Sequence, residues 1–132
     1  MVKYRKHLDD VYRVEVDKDK SKYKWRLDQS ERLIDFPKEF WDEFVSSITQ
    51  NDFIAYPYVY QLKERIAKHH NLNGTNNIFL VPGSDLAIRT MFDVFVTPDS
   101  NVITTSPCFP MYEVYSKLYN TSFRQVPYDK DL

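Results

Sequence analysis

The chain has 132 residues, 42% of them hydrophobic and 28% charged, and its 18 basic and 19 acidic side chains leave a formal charge of −1. That balance is a globular one, and it gives no electrostatic case for nucleic acid as the main partner. No apolar run approaches the length of a membrane span, the first residues hold no signal-peptide core, and the single Cys108 lacks an internal disulfide partner, so a cytoplasmic location is expected.

Residues 1–26 are dense in charge and have no sustained apolar period, which predicts an exposed arm; Asp9, Asp10, Glu15, Asp17 and Asp19 argue against an organelle transit peptide. Residues 27–34 read as extended. Asp35-Phe36-Pro37 then opens a helix, because Pro37 suits a first turn whose N–H groups are unpaired anyway. Phe40, Trp41, Phe44, Val45 and Ile48 fall on one face of that helix. A loop through Gln50, Asn51 and Asp52 reaches Tyr56-Pro57, after which Val59, Leu62 and Ile66 predict a second amphipathic helix, ended by the break at 71–74.

From Asn77 onward the pattern alternates. It predicts a strand near 78–81, a helix over 84–96, a strand over 102–105, a helix over 110–119 and a strand over 122–128, a βαβαβ order and an α/β fold class. The helix around Leu86 to Phe95 is apolar almost all round, which predicts burial on more than one side. Three strands leave too much of that surface uncovered, so the chain is expected to be the front part of a larger fold.

Gly74 and Gly83 are the only glycines, which excludes both the dinucleotide fingerprint and the P-loop, and no G-x-S-x-G elbow occurs. His7, His69, His70 and Cys108 have no metal-ligand spacing, and no metal is expected. Gly83 stands where the first strand must turn into the helix, followed by Ser84 and Asp85. Free N–H groups and the helix dipole suit such a turn to a phosphate. Ser84 as a plain N-cap, with Asp85 favouring the dipole, accounts for the same residues. Phe109 follows the second strand, at the sheet edge where ligands of α/β folds collect, and its ring suits a planar group. Phe109, Tyr112 and Tyr115 also suit a core or an interface.

Taken together, Leu27-Asp28-Gln29-Ser30-Glu31, Tyr56-Pro57, Gly83-Ser84-Asp85-Leu86-Ala87-Ile88-Arg89 and Pro107-Cys108-Phe109-Pro110-Met111-Tyr112 resemble the ordered landmarks of class I/II pyridoxal-phosphate-dependent aminotransferases. The likeness is strongest to the histidinol-phosphate aminotransferase group and spans about residues 27–128. It implies the N-terminal part of a fold-type-I large domain, a mostly parallel sheet with helices on both faces. Residues 1–34 would form an arm and small-domain segment, and 35–132 the first part of the cofactor-binding large domain.

The resemblance further implies that the backbone N–H groups of Ser84 and Asp85 bind the phosphate of pyridoxal 5'-phosphate and that Phe109 stacks on its pyridine ring. Tyr56 would reach the phosphate of a neighbouring subunit's cofactor, implying a homodimer. Asp28, Ser30 and Glu31 would lie near the substrate entrance. Ser30 stands where the family commonly has Asn, Cys108 where it has Thr, and Pro98-Asp99-Ser100 where it has a glycine turn. The family's Schiff-base lysine, the aspartate facing the pyridine nitrogen and the arginine holding the substrate carboxylate have no counterpart here; the lysines present sit in polar arms, on polar helix faces or in loops, so no catalytic residue is assigned. The implied activity is amino-group transfer between an amino acid or amino-alcohol phosphate and a 2-oxo acid, with these 132 residues inactive alone. The alternatives are a non-catalytic relative acting as a protein-interaction module and, with less to support it, a flavodoxin-like phosphate binder.

Overall fold

The computed structural model describes residues 3, 5–13, 15 and 17–129, and the chain divides into two units, Val16–Leu80 and Met1–Glu15 with Val81–Leu132. Among the described residues no helix is long and apolar enough to cross a membrane.

The unit of residues 16–80 is helical. Helix α1, Lys38–Ser47, begins immediately after Pro37, whose carbonyl accepts from the Trp41 N–H at 3.0 Å. Proline's fixed φ makes it a natural entry residue. The face built from Phe40, Trp41 and Phe44 forms as the spacing requires, extended by Phe36, whose ring lies 5.1 Å from Phe40 and 6.2 Å from Trp41. Arg32 lays its guanidinium 4.3 Å over Phe36 while donating to the carbonyls of Ile34 and Asp35.

The expected loop at Gln50–Asp52 holds a one-turn helix instead, α2, Asn51–Ile54. Its cause is local: the Asp52 carboxylate reaches back to accept from both the N–H and the hydroxyl of Thr49, each at 2.7 Å, and the Asp52 N–H donates to the Thr49 carbonyl at 3.1 Å. Helix α3, Tyr60–His69, buries Ala67 and ends as the sequence predicts. Asn71 takes a left-handed φ of 53°, and the Leu72 N–H donates to the Ala67 carbonyl at 2.8 Å, so the last turn closes on itself.

In the other unit, helix α4, Gly83–Phe95, precedes strand β1, Asn101–Ser106, helix α5, Met111–Leu118, and strand β2, Ser122–Pro127. The strands pair in parallel, with Asn101 opposite Ser122 and Ser106 opposite Pro127, so β1, α5 and β2 make one βαβ unit. Helix α5 ends like α3: Asn120 sits at φ 54° and the Thr121 N–H donates to the Ser116 carbonyl at 3.0 Å. Phe92, Met111 and Tyr115 form the buried core, with Ile88, Val102 and Leu118 packed against it.

Further expectations are corrected or refined. Residues 78–81 form no strand, because a strand exists only where a neighbour completes the ladder, and among the described residues β1 pairs only with β2. Helix α4 buries Phe92 and leaves Met91, Val94 and Phe95 exposed, the uncovered apolar surface expected where no further layer is present. Residues 27–34 are not uniformly extended, since Ser30 takes a φ of 52°. The arm is not wholly free either: a 3-10 turn, Lys6–Asp10, packs on α5, with His7 Nε2 3.2 Å from the Leu118 carbonyl.

Candidate functional site

Helix α4 opens in an unusual way. Gly83 is its first residue with φ of +83°, a backbone state that costs a side-chain-bearing residue but not glycine. A Cβ at Gly83 meets no atom within 4 Å, so the conformation and not crowding demands glycine. Pro82 occupies the N-cap position and makes no side-chain cap. Ser84 is therefore the second residue inside the helix, and the plain N-cap explanation of Ser84 does not describe this turn. The first-turn N–H groups have no partner within the helix, and the helix dipole adds partial positive charge there.

Asp85, third in the helix, carries its negative charge beside those amides. Here its Oδ1 accepts from the hydroxyl of Tyr115 on α5 at 2.9 Å. Tyr115 is 7% exposed; burial first, and then its bond to Asp85 and that residue's charge, push the phenol above its ordinary range. Tyr119 donates likewise to Asp93, and burial is again the leading cause of its raised value.

Phe109 lies between β1 and α5, with a carbonyl that accepts from the Tyr112 N–H at 3.3 Å and a half-exposed side chain. Its neighbour Cys108 is held beside the sheet, with Sγ 3.4 Å from Thr104 Oγ1 and 3.2 Å from Gln125 Nε2. The Asp85–Tyr115 bond thus ties the start of α4 to the helix that begins two residues after Phe109.

The remaining candidates belong to the other unit. Tyr56 is fully exposed. Asp28 and Glu31 converge on Arg26, whose guanidinium donates to Asp28 at 3.2 Å, Gln29 at 3.2 Å and Glu31 at 2.8 Å. The Arg26 side chain is 9% exposed, so its charge is satisfied by these acceptors rather than by bulk water. Ser30 stands at the left-handed bend between the acidic residues and is exposed. Asp17, Tyr23, Arg26 and Asp28 line a cavity of about 250 Å³. The N–H of Asp19 donates to Asp17 and holds its carboxyl below the usual range, helped by Tyr23, Lys22 and Arg26.

The sequence places Tyr115 as a core or interface aromatic, and core packing is what it shows, but neither its bond to Asp85 nor the grouping of acceptors on Arg26 was expected. The Tyr115–Asp85 bond joins residues 30 apart and has no signal in the local sequence. The alternation of Arg26 with Asp28 and Glu31 is the signal that could have found the Arg26 grouping.

Residues 22–131 match the family model described as aminotransferase class I and II. The chain is 30% identical over 112 residues to the histidinol-phosphate aminotransferase of Clostridium novyi, covering 83% of this chain and 31% of that protein. It is 28% identical over 111 residues to the histidinol-phosphate aminotransferase of Pyrococcus furiosus, covering 83% and 32%. With histidinol-phosphate aminotransferase 2 of Oceanobacillus iheyensis it shares 33% identity over 86 residues, 63% of this chain and 23% of that one. The chain thus spans about a third of the length of the first two of these curated relatives. No solved structure matches it significantly. A match to the family model over most of the chain places the chain in the class I and II aminotransferase family.

Proposed function

We propose that this chain supplies the phosphate-binding turn and the ring-stacking face of a pyridoxal 5'-phosphate site in a fold-type-I aminotransferase. The enzyme would move an amino group between an amino acid or amino-alcohol phosphate and a 2-oxo acid; the names of the matching relatives support the phosphorylated amine side of that pair. The observation that carries the reading is the opening of α4: a glycine at φ +83°, no side-chain cap, and an acidic neighbour drawn off to Tyr115. Uncapped first-turn amides are the donor set a phosphate needs, and Phe109 offers an accessible aromatic face for a planar ring.

On this reading the N–H groups of Ser84 and Asp85 hold the phosphate, Phe109 covers the pyridine and keeps water from that face, and Asp28, Ser30 and Glu31 border the substrate entrance. Tyr56 reaches the phosphate bound in a second subunit, so the working form is a homodimer; its complete exposure in a single chain fits that role. Residues 1–34 serve as arm and small-domain segment and 35–132 as the start of the large domain, in a cytoplasmic protein. The cofactor, when bound, supplies the electron sink for amino-group chemistry. These 132 residues carry no lysine that the family pattern assigns to the cofactor and are inactive by themselves.

Titration with pyridoxal 5'-phosphate, followed by absorbance and by competition with inorganic phosphate, tests the site. Saturable binding that phosphate displaces is expected, and no binding contradicts the reading. Borohydride reduction of the 132-residue chain with the cofactor tests the second point, since a lysine adduct accompanied by turnover contradicts inactivity. The exposed aromatic face of Phe40, Trp41 and Phe44 favours the alternative of a protein-interaction module. That alternative requires partner binding without any cofactor binding.

A further inference from the structure

An aspartate in the first turn of a helix is a competitor for any anion bound there. Asp85 is the third residue of α4, where its negative charge is drawn to the positive end of the helix and its carboxylate stands within one turn of the unpaired amides; the N-cap residue, Pro82, has no N–H to engage it. A carboxylate settled on those amides consumes the donors a phosphate would use and adds a like charge beside it. Elsewhere in the chain an aspartate near a helix start does turn back: Asp52 takes the N–H of Thr49, the residue before the α2 N-cap, at 2.7 Å.

Asp85 does not. Its Oδ1 accepts from the Tyr115 hydroxyl at 2.9 Å, and the ring of Tyr115 is anchored in the core, 7% exposed, with its centroid 5.7 Å from that of Phe92. The donor that holds the carboxylate is therefore fixed by packing and not by a mobile surface side chain. We propose that Tyr115 is a positioning residue for the phosphate site: by holding the Asp85 carboxylate on the α5 side, it keeps the amides of the α4 first turn open to an external anion. The proposal rests on the reading of α4 as the phosphate-binding end. It adds that the affinity of this end depends on a hydroxyl some thirty residues downstream (separation 30).

A double-mutant cycle on the full-length protein tests this, with pyridoxal 5'-phosphate and inorganic phosphate as probes and equilibrium dissociation constants as the readout. Tyr115→Phe keeps the ring and its packing but releases the carboxylate. Both probes are expected to bind about tenfold more weakly, the scale of one uncompensated charge a few ångströms away in a partly screened site. In an Asp85→Ala background there is no carboxylate to release, so adding Tyr115→Phe is expected to change neither constant. A purely structural role for Tyr115 gives the same loss in both backgrounds and overturns the proposal. Unchanged binding by Tyr115→Phe overturns it too, while leaving the phosphate-site reading intact. Failure of the unsubstituted protein to bind either probe removes that reading and the proposal with it.

Discussion

Tyr115 and Tyr119, one helical turn apart, each place a ring centroid 5.7 Å from Phe92 and send a hydroxyl to an aspartate of α4, Asp85 and Asp93 respectively. The apolar and polar halves of the two side chains thus act on the same pair of helices. Arg89, on the turn between the aspartates, adds a long ion pair to Asp93 at 3.9 Å.

This arrangement has a pH signature. Both phenols are raised above their ordinary value of 10.0, first by burial and then by the carboxylates they serve. In the unfolded chain they ionise at their ordinary value, while in the folded chain they keep their protons to higher pH. Their contribution to stability is therefore complete below about pH 10 and is lost as pH rises through the folded values. Urea midpoints measured from about pH 8 upward are expected to fall more steeply for the unsubstituted chain than for the Tyr115→Phe, Tyr119→Phe double variant; parallel curves contradict this.

Phe92→Ala should be the most damaging single truncation in its unit. Phe92 is 4% exposed and touches both tyrosine rings, so removing it forfeits transfer energy and leaves a cavity, a cost of about 3–5 kcal/mol. Its neighbour Met91 is 57% exposed, and Met91→Ala should fall within about 0.5 kcal/mol of the parent. Denaturant unfolding of the two variants side by side checks the contrast.

Gly83→Ala separates backbone strain from crowding. Nothing lies within 4 Å of the added methyl, so the whole cost comes from φ of +83° and should be about 1–2 kcal/mol. If the turn relaxes to negative φ instead, stability is preserved but the first-turn amides are re-aimed. Phosphate affinity is therefore expected to fall where the turn relaxes and to hold where the strain is kept; an unchanged affinity in a relaxed turn counts against the role assigned to it.

Arg26→Ala should loosen residues 28–31. Three acceptors lose a common donor, and hydrogen bonds to a charged group contribute about 1.5–3 kcal/mol each before the exposed acceptors regain water. Amide hydrogen exchange is expected to quicken at Asp28 to Glu31, with Arg26→Lys intermediate because an ammonium cannot reproduce the planar fork. Exchange unaltered in both variants contradicts an organising role.

Local chemistry decided what was legible in the sequence. Pro37 marked the start of α1, and Asn71 marked the end of α3 through a left-handed residue that closes the helix. Alternation after Asn77 found α4, β1, α5 and β2 to within a residue or two. Two misreadings were local, the Thr49–Asp52 contacts that make α2 and the left-handed Ser30; the others concern partners. Residues 78–81 have the apolar run of a strand but no paired neighbour, and the outer face of α4 has the composition of a buried surface without a covering layer. The glycine turn and Phe109 were visible as motifs, whereas the Tyr115–Asp85 bond joins residues 30 apart and appears only when α4 and α5 are packed.

A crystal structure of the full-length protein with pyridoxal 5'-phosphate reads the central claim most directly. The phosphate is expected within hydrogen-bond distance of the Ser84 and Asp85 N–H groups, with the pyridine ring against Phe109 and the Asp85 carboxylate still on Tyr115. A phosphate bound away from the start of α4, or a pyridine that leaves Phe109 untouched, contradicts it.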